Sequence, residues 1–540
     1  MEKIPVYSAE QLNNMSKEDI VALTMQLQTQ VVLFSEKISV LTAARCGRKT
    51  EQFADPNQLS FFNEAEVCAS EETKEPAIEQ AVKAHTRRKA KGKREADLSG
   101  LPVTTVTHEL SAEELEREFG QNRWKRLPDQ IYYKLEMIPA RYEVMEHHVA
   151  VYASKHPDKV VKAAHPKEML NNSIATPSVV AAVMNGKYVN AMPLYRLEQE
   201  FDRLGLNISR RNMANWVMTT TERYLSLLYD RLHGILCRAH TVQADETTVE
   251  VTKDGRSAGS KSYMWLYRTG EYEPGHPVIL YEYRKTRATE HPLRFLAEFK
   301  GNLVCDGYSA YHRLGELRNG EITVANCWAH VRRHFANAIK AQKDLSKEQL
   351  DTSVAGQALK RIAAIYAADN RLKNLSAEER QKERHRIIAK DAEAYFAWAR
   401  SMMSEVLENS ETYKGLQYSL NQETYLKRFL NDGSIPLDNS CSERSIRPFA
   451  VGRNNFKIID SVHGAEDSAI VYSIVETAKA NGLVPYEYFK YLLTEIPKHV
   501  DGKSTDFLDD LLPWSDTLPK ECFKPEKPRK DENPDSAASD

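Results

Sequence analysis

At Thr241 the chain changes its repeat from that of helices to that of strands, and this change limits the folds open to it. TVQADETTVEV (Thr241–Val251), KSYMWLYR (Lys261–Arg268) and PVILYEYR (Pro277–Arg284) carry the β-branched and aromatic content of strands. Gly255 and Gly259, then Gly270 and Gly275, mark the turns between them. The segments beyond alternate. Glu290–Lys300 is predicted to be a helix and Asn302–Cys305 a short apolar strand that ends at Asp306. A helix over Ser309–Leu317 and a strand over Ile322–Ala325 follow. Three meandering strands and then alternating helix and strand point to one mixed sheet with helices on both faces.

That order is the order of a ribonuclease H-like α/β fold. Its first and fourth strands are neighbours, so Asp245, in the middle of the first, and Asp306, at the end of the fourth, are expected at one edge. A third acid, Glu443, opens a predicted helix in NSCSERSIRPFAVGRNNF (Asn439–Phe456), with Arg444, Arg447 and Arg453 close behind it. It lies 443 − 306 = 137 positions past Asp306. Residues 341–430, helical in pattern and rich in Lys, Arg and Glu, are predicted to be an insertion that fills this gap. The core is then split into 238–340 and 431–480, with a C-terminal helical segment over 481–515.

Three converging carboxylates make a hard-oxygen site suited to Mg²⁺ or Mn²⁺. Two such ions, about 3.5–4 Å apart, activate a water or a 3′-hydroxyl and stabilise the leaving oxygen at phosphorus. Each acid also has a plainer reading. Ser440-x-x-Glu443 fits a helix capping box. Glu246 follows Asp245 and is an alternative acid, while Thr247 and Thr248 would satisfy a buried carboxylate. The alternation Val242, Ala244, Glu246 puts Asp245 on the opposite face, which favours Asp245.

Upstream, residues 17–45 read as one helix. Ile20, Leu27, Phe34 and Leu41 recur every seven residues, but Gln30 and Lys37 fall at the second apolar position. A short coiled coil between two subunits and a helix packed on its own chain both fit. Residues 50–98 read as a charged linker, acidic at first and then basic in Arg87, Arg88, Lys89, Lys91, Lys93 and Arg94. Such a run either follows a phosphate backbone or is a solvated tether. Residues 101–165 form a small mixed region, with strand patterns at Val103–Val106 and Ile131–Met137. His147, His148, His156 and His165 lack cysteine partners and read as ordinary polar residues. Residues 176–232 are helical. Leu194, Leu197, Phe201 and Leu204 share a face, Gly205 ends that helix and Ser209 caps the next. Arg210, Arg211, Asn212 and Asn215 then occupy the front of a second helix, as in a helix–turn–helix or a plain helical hairpin.

The net charge of −2 averages out these blocks of opposite sign. Hydrophobic residues make up 41% of the 540, enough for a sizeable core, and no apolar run is long enough to span a membrane. The start, MEKIPVYSAEQ, has no signal-peptide pattern, so the chain reads as soluble and cytoplasmic. Seven scattered cysteines without a C-x-x-C pair argue against a disulfide framework and a common zinc module. Residues 516–540 are rich in Pro, Lys and Asp and are expected to be disordered.

Several of these pieces together resemble the transposases of the insertion-sequence-66 family. They are QADETTVEV around Asp245, CDGYSAYHRL around Asp306, NCWAHVRRHF around His330 and NSCSERSIRPFAVGRNN around Glu443. KYVNAMPLYRLEQEFDRLGLNISRRNMANW resembles the family's helix–turn–helix region, and NGLVPYEYFKYLLTEIP its C-terminal segment. The resemblance implies a catalytic triad of Asp245, Asp306 and Glu443 and divalent-metal-dependent cutting and joining of DNA at the element's ends. His330, Arg332 and Arg333 would sit near that site, and Arg444 and Arg447 would face flanking phosphates. The partners implied are terminal-repeat and target DNA, a second copy of the chain and small accessory proteins of the same element, in a bacterial nucleoid setting. Two departures stand out. The family's cysteine-rich zinc module is replaced by LSAEELEREFGQNRWKRLPDQIYYKLEMIPARYEVMEHH, which has no cysteine, so no zinc is expected. Asn454 stands where the family's Lys follows Gly452-Arg453. A catalytically dead DNA-binding protein and a ribonuclease H-type nuclease with other substrates are the alternatives.

Overall fold

The structure, a computed structural model, describes residues 15–46, 142–153, 160–163, 168–257, 259–341, 346–500 and 504–525, with isolated positions between 105 and 117. The basic run from Arg87 to Arg94, the strands expected at 103–106 (apart from the single residue Thr105) and 131–137, and His156 and His165 lie outside the described residues. These residues fall into two compact units, one within Met1–Glu71 and Glu168–Cys522, the other within Glu72–Lys167 and Phe523–Asp540. In the second unit, β1 (Val151–Ala153) and β2 (Val160–Lys162) form an antiparallel pair that the sequence pattern did not signal. His148 meets Glu146 at 3.0 Å there.

The first unit begins with α1 (Lys17–Cys46). The helical region follows as α2 (Pro177–Met184), α3 (Leu194–Arg203), α4 (Arg210–Thr220) and α5 (Ser226–Leu236). Gly205 turns the chain at φ +77°, and the Ser209 hydroxyl accepts the Asn212 N–H at 3.2 Å, so the turn and cap are as expected. Leu197 and Phe201 are buried, whereas Leu204 is exposed at the end of its helix.

A mixed sheet forms the centre. Its strands are β3 (Thr241–Lys253), β4 (Lys261–Thr269), β5 (Ile279–Arg284), β6 (Gly301–Cys305) and β7 (Ile322–Asn326). The spatial order is β5-β4-β3-β6-β7, antiparallel up to β3 and parallel beyond it. Gly301 lets β6 approach β3, since a Cβ there would stand 2.3 Å from the His240 carbonyl oxygen. The expected helix over Glu290–Lys300 is shorter, α6 (Glu290–Phe295), because the chain must turn to place Gly301 in this register. Next comes α7 (Ser309–Leu317), as expected. The face of β3 that carries Ala244 and Glu246 meets α7, where Tyr311 bonds Glu246.

After β7, α8 (Trp328–Ala341) leads into α9 (Lys347–Thr352), α10 (Val354–Asn370), α11 (Ala377–Ile387), α12 (Ala389–Met402), α13 (Glu411–Asn421) and α14 (Glu423–Leu426). These helices hold a hydrophobic core of their own around Trp328, Tyr395, Phe396 and Phe429. Arg384 is fully buried in it and binds Asp369 at 2.7 Å and the carbonyls of Phe429 and Ile435. The chain returns to the sheet through α15 (Ser440–Phe456), β8 (Ile459–Ser461), α16 (Val462–Ala480) and α17 (Pro485–His499). β8 extends β3 in parallel at its far end. α16 seals the edge of β5, with Ser473 and Thr477 hydroxyls accepting the N–H groups of Tyr281 and Ile279 at 2.7 and 3.0 Å. The expected disorder from 516 does not extend to its first residues. Leu518 and Cys522 are buried, and the Cys522 carbonyl accepts the Val484 N–H at 2.7 Å.

Candidate active site

The parallel pairing of β3 with β6 sets the register of two acids. Gln243 is opposite Val304, and Asp245 and Asp306 each lie two residues further along. Gln243 and Asp245 share one face of β3, the face that α15 covers. The Gln243 amide donates to Asn439 Oδ1 at 3.2 Å, and the Asn439 amide donates to the Ala244 carbonyl at 2.7 Å. Asn439 is 1% exposed. It fixes the start of α15, and Glu443 sits one turn on.

Glu443 makes no capping box. Asn439 occupies the cap position without a side-chain cap bond, and the Glu443 carboxylate turns to α8 instead. Arg333 Nη2 donates to both of its oxygens, at 3.0 and 3.2 Å. His330 Nε2 lies 3.9 Å from Glu443 Oε1 and accepts from Arg333 Nη1 at 3.3 Å. An arginine only donates, so the imidazole proton resides on Nδ1, which is buried without a partner among the described residues. Burial and then the Arg333 charge push the His330 pKa down, which keeps the ring neutral.

Asp245 is the most perturbed acid of the group. Burial first, then the charges of Glu246, Glu443 and Asp306, push its carboxyl well above the usual range, opposed by a hydrogen bond from the Glu246 N–H at 2.8 Å. Glu443 and Asp306 are thus among the charges that raise Asp245. Asp306 Oδ1 accepts the Tyr308 N–H at 3.0 Å, and its Oδ2 lies 3.7 Å from Arg287 Nη2.

Glu246, the alternative acid, is committed elsewhere. Its side chain is 2% exposed, with Oε1 bound by Arg287 and Oε2 accepting the Tyr311 hydroxyl at 2.6 Å. Thr247 and Thr248 do not satisfy Asp245 either; their hydroxyls accept from Arg453 at 3.2 and 3.3 Å, and Arg453 also binds the Thr248 carbonyl.

Arg444 and Arg447 lie elsewhere on α15. With Tyr188, Val189, Pro448 and Val451 they line a surface cavity of about 290 Å³. Arg444 Nη2 also lies 2.8 Å from Cys441 Sγ. Arg210, Arg211, Asn212 and Asn215 are all exposed on the front of α4. Asn212 and Asn215 form one wall of a cleft of about 500 Å³, facing Asn171 and Asn172.

Sequence reasoning missed Arg287, Tyr311 and Asn439. An asparagine just before a helix is a cap signal that marks Asn439. Arg287 follows β5 in no recognisable pattern, and only the folded sheet brings it to Asp306. The structure also adds Cys327, whose Sγ lies with donor atoms of His330 and Glu443 within 4.8 Å of one another. Burial pushes this thiol up, and it accepts the Asn439 N–H at 3.1 Å, so it acts as a neutral structural group.

A mixed α/β core with one acid within β3 and another just past the end of the adjoining parallel β6 is consistent with a ribonuclease H-like domain of the DDE class, whose members act on DNA by phosphoryl transfer. Residues 172–467 match the model of the IS66 transposase family, and residues 473–514 match the IS66 C-terminal element. The chain belongs to the IS66 family of transposases. Among its relatives is an uncharacterized protein of Sinorhizobium fredii, y4qI, 30% identical over 401 residues, which cover 73% of this chain and 71% of the relative. A second from the same organism, y4jD, is 29% identical over 390 residues, covering 71% of this chain and 74% of its own. No helix among the described residues is long and apolar enough to cross a membrane.

Proposed function

We propose that the protein cleaves and joins DNA strands at the ends of its own insertion sequence, with Asp245, Asp306 and Glu443 as the catalytic acids. The observation that carries this is the register of β3 with β6, which sets Asp245 and Asp306 level, together with the Asn439 bond to Ala244 that starts α15 one turn before Glu443. Burial and the negative charges of Glu246, Glu443 and Asp306 make the Asp245 carboxylate costly to ionise without a cation beside it. Such a donor set, made of oxygens only, fits Mg²⁺ or Mn²⁺, and two ions suit it. When bound, the ions supply charge stabilisation at phosphorus and activate the attacking oxygen.

The chain's own residues hold this geometry. Asn439 sets the start of α15, Arg333 holds the Glu443 carboxylate while His330 accepts from the same guanidinium, and the Tyr308 N–H orients Asp306. With Glu443 as a metal ligand, Arg333 would be the cation beside the site that meets a phosphate. Arg210, Arg211, Asn212 and Asn215 are assigned to end-sequence DNA, with the basic run Arg87, Arg88, Lys89, Lys91, Lys93 and Arg94 following the backbone. Arg444 and Arg447 are assigned to DNA beside the cavity they line, and Arg453, bonded to Thr247 and Thr248, to DNA at the C-terminal end of α15.

The test uses the full chain, labelled end DNA and Mg²⁺ or Mn²⁺, with the element's accessory proteins added. Wild type is expected to nick or join the ends, and EDTA to abolish this. Asp245→Asn, Asp306→Asn and Glu443→Gln are each expected to bind DNA yet cleave more than about a hundredfold slower, since even losing a residue that only hydrogen-bonds a metal ligand costs about 10–100-fold. Full activity in any one variant removes that acid from the triad. Binding without cleavage by wild type favours a DNA-binding protein instead.

A further inference from the structure

We propose that Arg287 contacts a non-bridging oxygen of the phosphodiester being cut, anchored for that task by the buried acid Glu246. This rests on the reading of Asp245, Asp306 and Glu443 as the strand-cleavage site.

Arg287 is held on three sides. Its Nε donates to Glu246 Oε1 at 2.7 Å, and Nη2 binds the same oxygen. Its guanidinium stacks 3.6 Å above the Tyr308 ring, and the Tyr308 hydroxyl donates to the Arg287 carbonyl at 2.7 Å. One edge of the guanidinium is therefore fixed. The other edge is not: Nη1 makes no hydrogen bond among the described residues, and the side chain is 36% exposed. Nη2 stands 3.7 Å from Asp306 Oδ2, within charge range but beyond hydrogen-bond length, so the cation is not committed to that acid.

Glu246 makes sense only as an anchor. A carboxylate that is 2% exposed costs stability unless paired, and this one also burdens Asp245 on the next position of β3. What it gains is a guanidinium fixed beside the acids with a free donor edge. A planar donor pair of that kind matches the oxygens of a phosphodiester and is in place before charge develops there.

Removing Arg287 alone would strand the Glu246 charge, so the decisive variant is Glu246→Gln combined with Arg287→Met, with Arg287→Lys beside it. Three quantities are read in the full chain: melting temperature with and without Mn²⁺, affinity for end DNA, and single-turnover cleavage of pre-bound DNA. The double variant is expected to keep its fold and its Mn²⁺-induced melting shift, and to bind DNA within about threefold of wild type. Its cleavage is expected to be about 10²–10³-fold slower, the cost of losing one preorganised donor. Arg287→Lys, which keeps charge but loses the fork, is expected to fall between. Cleavage within threefold of wild type in the double variant overturns the proposal, while inactivity of Asp306→Asn in the same series leaves the triad standing. Loss of the Mn²⁺ shift along with cleavage also overturns it, because Arg287 would then serve the metal site. If wild type itself fails to cleave, the underlying reading falls, and this proposal with it.

Discussion

The backbone N–H of Asn439 donates to the sulfur of Cys327 at 3.1 Å, across 112 positions of sequence. Beside it, the Trp328 N–H donates to the Leu437 carbonyl at 3.2 Å. The helices α9 to α14 thus leave the sheet and return to it at one point, the start of α8. That closure puts Glu443 against Arg333 and His330 and explains how an acid so far along the chain reaches β3.

Asn439 is the pin of this closure, so its loss should loosen Glu443. Asn439→Ala removes the bonds to Ala244 and Gln243 in a fully buried place. At about 1–1.5 kcal/mol per bond, the expected loss is about 2–3 kcal/mol of stability. Urea denaturation measures this, and cleavage should fall with DNA affinity unchanged. An unaltered midpoint and rate would show that Cys327 and Trp328 suffice.

The helical insertion should depend on one buried ion pair. Arg384→Ala leaves Asp369 charged and unpaired, and leaves the carbonyls of Phe429 and Ile435 without a donor. The expected cost is about 3–5 kcal/mol, whereas replacing both partners by apolar residues of similar volume should cost far less. A double-mutant cycle on thermal melting checks this.

Asp432 should give the protein a stability that depends on acid pH. Burial raises its carboxyl, but hydrogen bonds with Ser434, His240 and Asn302 outweigh this and bring its pKa down to about 2. A depressed folded value means that the contribution is complete above the unfolded value, near 4, and is lost as pH falls through 2. His240 is the partner whose Nε2 lies nearest, at 2.7 Å. Allowing for solvent, the loss is about 1–2 kcal/mol. Asp432→Asn should flatten the stability curve between pH 4 and 2, and an unchanged slope there would remove the assignment.

Self-association should run through α1. The helix lies along α8, with Leu23, Gln30 and Leu33 half-buried, while Ile20, Leu27, Phe34 and Ile38 remain exposed. Both readings of this helix therefore have a face to use. Leu27→Glu with Phe34→Glu is expected to lower the mass found by light scattering to that of a single chain, with the melting temperature unchanged. An unchanged mass would leave α1 a packed helix only.

The sequence alone determined the strands β3 to β7 of the central sheet and the turn and cap of the helical pair, and it singled out three acids as candidates. Strands and caps are written in local patterns: alternation, Gly at φ +77° in the turn at 205, Ser209 before its helix. The proposed triad rests on the distinctive stretch around each acid, and on the alternation along β3 that sets Asp245 on the opposite face from Glu246. Only the tertiary structure decided what each acid meets. Ser440-x-x-Glu443 has the spacing of a capping box, yet Arg333 on α8 takes the carboxylate, since a charged donor is a stronger partner than a backbone N–H. Arg287 has no local signature at all. Its place beside Asp306 depends on the pairing of β3 with β6 and on a buried counter-charge, and both arise only when distant segments pack together.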